Sequence, residues 1–259
     1  MAPIEELLRT CRHTAWRVRR WFRHLPTLMT VTVASYGLVG YVIMPTAWRL
    51  YGPPLIAQGK AAMTQDGFPS DPINVSLVGT REDVIRAMQL AGWQTADRTT
   101  MSTGLRMISS VVCDSSYPSA PMNDLYVWGR RQDLGFQQQA GNSPRQRHHV
   151  RFWRSDQADP AGRPIWLGAA TFDCGVGLSP RTGQITHRIA ADVDAERDKL
   201  IRDLHQAGLV VRQYQAPNMK PTRDGRNGTG DVYHTDGNMT VGVLAGDSPE
   251  SPPEQAALR

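Results

Sequence analysis

The sequence predicts an α+β domain with a mixed, largely antiparallel sheet and two flanking βα units, preceded by a single transmembrane helix. Three observations carry that expectation. Leu25 to Trp48 contains no charged residue, a run long enough to cross a hydrocarbon core as a helix. Two later segments each join a short alternating strand to a capped helix. Between them lie four strand-like segments parted by turn residues, a grouping expected of an α+β domain.

The chain has 259 residues, of which 40% are hydrophobic and 20% charged, a balance that excludes disorder throughout. The formal charge of +5 is concentrated early. Arg9, Arg12, Arg17, Arg19, Arg20 and Arg23 face only Glu5 and Glu6 in residues 1–24, so the basic character belongs to a terminal arm. No nucleic-acid partner is expected from it. Ile4, Leu7, Leu8, Cys11, Ala15, Val18 and Phe22 recur at helical spacing opposite these arginines, which predicts a basic amphipathic helix on an anionic membrane surface.

Residues 25–48 predict the membrane helix, with Trp21 and Trp48 flanking it at interfacial depth. A buried helix of a soluble domain and a cleaved signal peptide are the rivals. The first rarely runs this long without charge. The second is disfavoured by the long charged region ahead and by Pro45 inside the candidate cleavage site Met44-Pro45-Thr46-Ala47. An uncleaved anchor is therefore expected. Six arginines precede it and only Arg49 and Lys60 follow closely, so the positive-inside rule predicts a cytoplasmic N-terminus and a domain at the outer face of the inner membrane.

Pro53, Pro54, Gly59, Gly67, Pro69 and Pro72 make residues 49–72 read as a linker. The domain is expected over 73–215. Ile73, Val75 and Leu77 alternate as a strand, Thr80 caps a helix to Ala91, and Gly92 stops it. Strands are expected at Leu125 to Arg130, Leu134 to Gln138, His148 to Arg154 and Ile165 to Phe172, with turns at Gly141 to Pro144 and Asp159 to Gly162. Gly183 to Ile189 reads as a further strand, Asp192 or Asp194 caps a helix through Gln206, and Gly208 precedes a strand containing Leu209, Val210, Val211 and Tyr214. Within 216–245, Val232 to Thr235 and Met239 to Val243 predict a hairpin about Asp236-Gly237. Residues 246–259 read as a disordered tail.

Cys11, Cys113 and Cys174 have no CxxC spacing, which excludes a closed structural zinc site made of cysteine alone. In an oxidising compartment Cys113 and Cys174 could form one disulfide. Two separate buried thiols are the alternative.

The densest chemistry is RQRHHVRFWR, residues 145–154. In a strand, His148 shares a face with Val150 and Phe152, whereas His149 shares the other with Arg147, Arg151 and Trp153. His187 lies with Ile185 and Ile189. The two apolar faces predict that His148 and His187 meet in the core, joined by Asp173, giving two nitrogens and one carboxylate. That set suits a divalent metal with an open position or an acid/base pair. Its bland alternative is a buried histidine satisfied by a carbonyl or carboxylate. His234 is a further candidate ligand. Arg147 and Arg151 predict an anion-binding face, because guanidinium forks hold phosphate or carboxylate bidentately; an exposed face paired with acids is the alternative. Asp192, Asp194, Glu196 and Asp198 lack the glycine and terminal glutamate of a calcium loop and instead answer a helix dipole.

Four collinear stretches, YPSAPMNDLYVWGRRQDLGFQ, SPRQRHHVRFW, IWLGAATFDCGVGLS and TGQITHRIAADVDAERDKLIRDL, resemble the LssY C-terminal domain of bacterial membrane-associated proteins over about residues 70–215. The resemblance implies an envelope setting, since such domains follow polytopic membrane domains similar to DedA proteins or to type-2 phosphatidic acid phosphatases. The phosphatase signature is absent, because Tyr117-Pro118-Ser119-Ala120 lacks its glycine and histidine. The expected function is a membrane-anchored binding or accessory module for an envelope protein complex or phospholipid. The alternative is a metal- or histidine-dependent hydrolase of a phosphorylated envelope substrate, with His148, Asp173 and His187 catalytic.

Overall fold

The computed structural model describes residues 24–51, 61–64, 67–97, 102, 103, 109, 117, 119, 122–141, 146–179, 183–217, 223–227 and 229–246. The chain forms two compact units, one holding the N-terminal helix and the other holding the domain. The arm before His24, Cys11, Cys113, Arg145 and the tail from Asp247 lie outside the described residues.

In the first unit, residues 24–51 form helix α1. The most apolar 18-residue stretch of its portion His24–Ala47 has mean hydropathy 1.6 and is almost wholly unburied, so it is long and apolar enough to span a membrane. Thr30 Oγ1 donates to Pro26 O at 2.9 Å, satisfying its hydroxyl within the helix. A π-helical stretch, Val39–Ile43, precedes Pro45. There Met44 N donates to Val39 O, a wider turn at the point where proline removes a donor and crowds the preceding turn.

The second unit begins with an antiparallel pair, β1 (Ala61–Thr64) and β2 (Pro69–Pro72). Then follow β3 (Val75–Val78), α2 (Arg81–Leu90), β4 (Gln94–Thr95), β5 (Leu125–Val127), β6 (Arg130–Arg131), β7 (Leu134–Gln139), β8 (Arg147–Ala158), β9 (Pro164–Leu178), β10 (Ile185–Ile189), α3 (Val193–Gln206), β11 (Val210–Pro217), β12 (Asp224–Arg226), β13 (Val232–His234) and β14 (Asn238–Leu244). The main sheet runs β11-β14-β3-β9-β8-β7-β4, with β10 paired to the extension of β9. Its described pairings are antiparallel except for β14 with β3. A smaller sheet has the order β2-β1-β5-β6.

Both helices start at caps readable in the sequence. Thr80 Oγ1 accepts from Asp83 N at 3.1 Å while Asp83 Oδ2 accepts from Thr80 N at 2.8 Å, a reciprocal capping box. Asp192 Oδ1 accepts from Asp194 N and Ala195 N at 3.1 and 3.0 Å. Gly92 and Gly208 follow the helices with φ of +83° and +72°, the left-handed conformation that glycine takes without penalty.

Both helices cover the same side of the main sheet. Val84, Ala87 and Met88 of α2 join Leu200, Ile201 and Leu204 of α3 against Val75, Leu77, Phe136, Val150, Phe152 and Trp166. On the other side, Trp153 and Ala169 pack with Ala62, Ile73, Leu125 and Val127 near and within the smaller sheet. The middle of β8 is thus buried on both faces. Asn74 stitches these layers, donating to Ala170 O and Val193 O and accepting from Ala170 N, each at 2.9 Å.

Two sequence expectations change. The stretch 49–72, read as a linker, contains β1 and β2. Its prolines Pro69 and Pro72 sit in β2, at the edge of the smaller sheet, where a missing ladder donor is tolerated. The expected hairpin within 216–245 does not form: β13 pairs with β12, and β14 inserts between β11 and β3. Thr240, Val241, Gly242, Val243 and Leu244 are all buried, so this is a strand covered on both faces rather than half of an exposed hairpin.

Candidate functional site

The register of β7, β8 and β9 lays three rows across the side covered by the smaller sheet: Gly135–Arg151–Ala169, Gln137–His149–Thr171 and Gln139–Arg147–Asp173. Alternation along β8 therefore brings Arg147, His149 and Arg151 into one polar group. All three are buried. They line a cavity of about 270 Å³ with Asp71, Asn123, Thr171, Asp173 and His187 among its walls.

His187 reaches this side because of a β-bulge. Arg188 pairs with Gly175 but Ile189 with Asp173, so β9 advances by two residues while β10 advances by one. The extra residue at Cys174 changes the alternation of β9, and His187, Ile189 and Asp173 end on the same face. Cys174 itself is exposed with a free thiol; the pairing with Cys113 lies outside the described residues.

Asp173 is the hub. Its Oδ2 lies 3.3 Å from His149 Nδ1 and 3.2 Å from His187 Nδ1. Arg147 Nη1 donates to Gln137 Oε1 at 3.2 Å, and Nη2 lies 3.4 Å from His187 Nε2. Arg151 donates from Nη1 to Asp71 Oδ2 at 3.0 Å and from Nε to Asn123 O at 3.2 Å. Arg147 Nε, His149 Nε2 and His187 Nδ1 are buried without a completed hydrogen bond, unusual for buried polar atoms.

Burial sets the charge states. It pushes Asp173 up to about 7, against the pull of Arg147 and Arg151. It lowers His187 to about 4, with the charges of Arg147 and Arg151 acting in the same direction. Burial likewise holds His149 well below the ordinary histidine value, again helped by the two arginines. Burial also lowers Arg147, yet a guanidinium remains charged at neutral pH. With Asp71 paired to Arg151 and Asp173 only partly ionised, the cleft carries a surplus of positive charge at neutral pH.

The structure places His148 elsewhere, which corrects its expected convergence with Asp173 and His187. His148 pairs across the strands with Phe172 and Gln138 and points toward α3. Its Nδ1 lies 2.7 Å from Glu196 Oε2, and its ring lies 4.7 Å from that of Phe172. Strand alternation forbids it from reaching the cleft that its neighbour lines. The correct partner of Asp173 and His187 is His149, assigned by sequence to the arginine face; the bulge at Cys174 is what joins the two sets. His234 stands on β13, exposed and paired with Asp224, and Arg154 is exposed. Among the described residues, no three His, Cys, Asp or Glu side chains form a group that could hold a metal ion.

Asp71, Asn123 and Thr171 were not singled out by sequence. Thr171 stands two residues before Asp173, a same-face spacing that could have found it. Asp71 and Asn123 meet Arg151 across long sequence separations, and such contacts carry no local signal.

No curated protein and no solved structure matches the chain. Residues 55–239, spanning both sheets up to the start of β14, match the family model described as the LssY C-terminus, and the chain belongs to that family.

Proposed function

We propose that this protein is a single-pass, membrane-anchored binding module of the bacterial envelope whose domain takes a phosphate-bearing anion in the cleft of Arg147, His149, Arg151 and His187. The observation that carries this reading is the burial of two guanidinium groups beside the walls of one open cavity, with one carboxylate committed to Arg151 and the other raised by burial. Buried cations without full compensation are costly, and an anionic ligand supplies the missing partner. Guanidinium forks favour phosphate or carboxylate oxygens. Thr171 adds a hydroxyl to the wall. The arginines before α1 support a cytoplasmic N-terminus and a domain outside the inner membrane, and the family's occurrence beside lipid-related membrane domains supports an accessory role in secretion or lipid handling.

A second reading rests on the Asp173–His187 contact. A carboxylate facing Nδ1 of an imidazole is the arrangement that orients a general base, which supports hydrolysis of a phosphorylated envelope substrate. Titration of the full-length protein in phosphatidylcholine nanodiscs with glycerol phosphate, followed by calorimetry, tests the first reading. Saturable heat that Arg147→Met abolishes supports it; no binding at millimolar ligand overturns it. Release of phosphate from a phosphomonoester that His187→Gln abolishes while binding persists would move the protein to the second reading.

A further inference from the structure

The hairpin of β9 and β10 continues past the cleft. Its cross-strand pairs Ile185–Leu178 and His187–Val176 put Val176, Leu178 and Ile185 on the face that carries His187 and Ile189. Val176, Leu178 and Ile185 are 39%, 58% and 60% exposed. The intervening positions on the opposite face are Gly175, Gly177, Thr186 and Arg188. One side of the hairpin is thus apolar and open, and it runs directly into the cationic cavity.

We infer that the ligand is an anionic amphiphile, a phosphate-bearing lipid whose headgroup enters the cleft and whose acyl chain lies along Val176, Leu178 and Ile185. The inference rests on the anion-binding reading and adds the ligand's class. Three observations commit the surface to lipid. The stripe is continuous with the cleft through His187 and Ile189, so a ligand occupying both must be charged at one end and apolar at the other. The cavity of about 270 Å³ is lined by His187 and Ile189 but not by Val176, Leu178 or Ile185, so a headgroup in it leaves a chain on the stripe outside. The same polypeptide carries a helix apolar enough to cross a bilayer, which makes lipid the amphiphile at hand. Ile185 stands two residues from His187, roughly 7 Å along a strand, so the first carbons of a chain reach it from an occupied cleft.

The experiment compares glycerol phosphate with dihexanoyl phosphatidic acid, the same headgroup chemistry with and without short chains, as ligands of the full-length protein in phosphatidylcholine nanodiscs. Heats from protein-free nanodiscs are subtracted. Wild type is expected to bind the phosphatidate at least about tenfold more tightly, because even two or three buried methylene groups suffice for that ratio. The double variant Leu178→Ser/Ile185→Ser, at exposed positions and checked for folding by circular dichroism, is expected to bring the ratio close to one with glycerol phosphate affinity unchanged. Arg147→Met is expected to lose both ligands. Glycerol phosphate bound with a wild-type ratio near one, or a ratio untouched by the double variant, overturns the lipid assignment and leaves the anion site standing. Failure of wild type to bind either ligand overturns both.

Discussion

Arg147 Nη2 lies 3.4 Å from His187 Nε2, and His187 Nδ1 lies 3.2 Å from Asp173 Oδ2. A guanidinium only donates, so Nε2 is the acceptor of that contact, while Nδ1 approaches the carboxylate without completing a hydrogen bond. Arginine, imidazole and carboxylate therefore form a chain of close contacts across β8, β10 and β9. Arg147 heads that chain, and its Nε has no partner.

Arg147→Met is expected to reduce glycerol phosphate affinity about a hundredfold or more, the scale for losing a buried charged donor. Arg147→Lys should lose most of that as well, because an ammonium cannot reproduce the fork that reaches Gln137 and His187 together. Calorimetric titration of wild type and both variants measures this. Full affinity in the lysine variant would show that charge alone suffices.

The cluster predicts a pH dependence of stability. Asp173 faces Arg147, His149 and Arg151 from β8, His187 from β10 and Asp71 from β2. Between about pH 4.5 and 6 the unfolded chain has Asp173 largely ionised and both histidines largely protonated. The folded chain in this window has Asp173 protonated and His187 largely neutral, with His149 also held below its ordinary value. Unfolding thus takes up protons at the histidines and releases one at Asp173. The depressed histidines make stability rise with pH, and the raised aspartate makes it fall with pH. Asp173→Asn removes the opposing contribution, so the slope across this window should steepen by about 1.4 kcal/mol per pH unit. Urea unfolding at several pH values reads it directly, and an unchanged slope would sink the assignment.

His148 and Glu196 form a separate polar pair under α3. Glu196 is buried, burial raises its proton affinity, and its Oε1 has no partner. His148→Ala leaves that carboxyl without its His148 hydrogen bond and is expected to cost about 2–4 kcal/mol of stability. Glycerol phosphate affinity in the folded fraction should not change, since His148 is on the far side of the sheet. A parallel loss of affinity would tie His148 to the cleft.

Gly168 provides a steric prediction. A Cβ there would come within 2.6 Å of both Phe152 Cε1 and Val75 Cγ1, in a core packed on both sides. Gly168→Ala is therefore expected to destabilise by about 1–3 kcal/mol through overpacking. Gly168→Ala/Phe152→Leu should recover part of this in the same unfolding assay, as compensation between touching groups requires.

On the proposed reading, the anion is held by arginine donors and needs no metal. Dialysis against EDTA should leave phosphate affinity unchanged within about twofold. Loss of affinity restored by zinc or manganese would place a metal among His149, Asp173 and His187 instead.

Much of this architecture was legible because its signals are local. Thr80 and Asp192 announce helix starts, Gly92 and Gly208 announce stops, and the alternation RHHVRFW separates His148 from the arginines. What locality could not supply was which buried face meets what. Both sides of β8 are covered, so apolar neighbours did not reveal that His148 faces α3 while His149 faces Asp173. The bulge at Cys174 inverts a face assignment through a single unpaired residue, and nothing in DCGVG marks it unambiguously. Asp71 was hidden for a related reason: proline and glycine about it suggested a spacer, whereas β2 pairs with β1 and Asp71 meets its partner Arg151 far along the chain in β8.

The strand that joins β11 to the rest of the main sheet is also, among the described strands, the last to be synthesised. Until β14 leaves the ribosome, β11 lacks its described ladder partner and β3 is paired on one edge only, by β9. The hydrophobic anchor emerges some two hundred residues earlier, which at roughly 5–20 residues per second is ten seconds or more of translation. On the proposed topology, insertion of that helix would precede closure of the main sheet, so the domain would still be open during export.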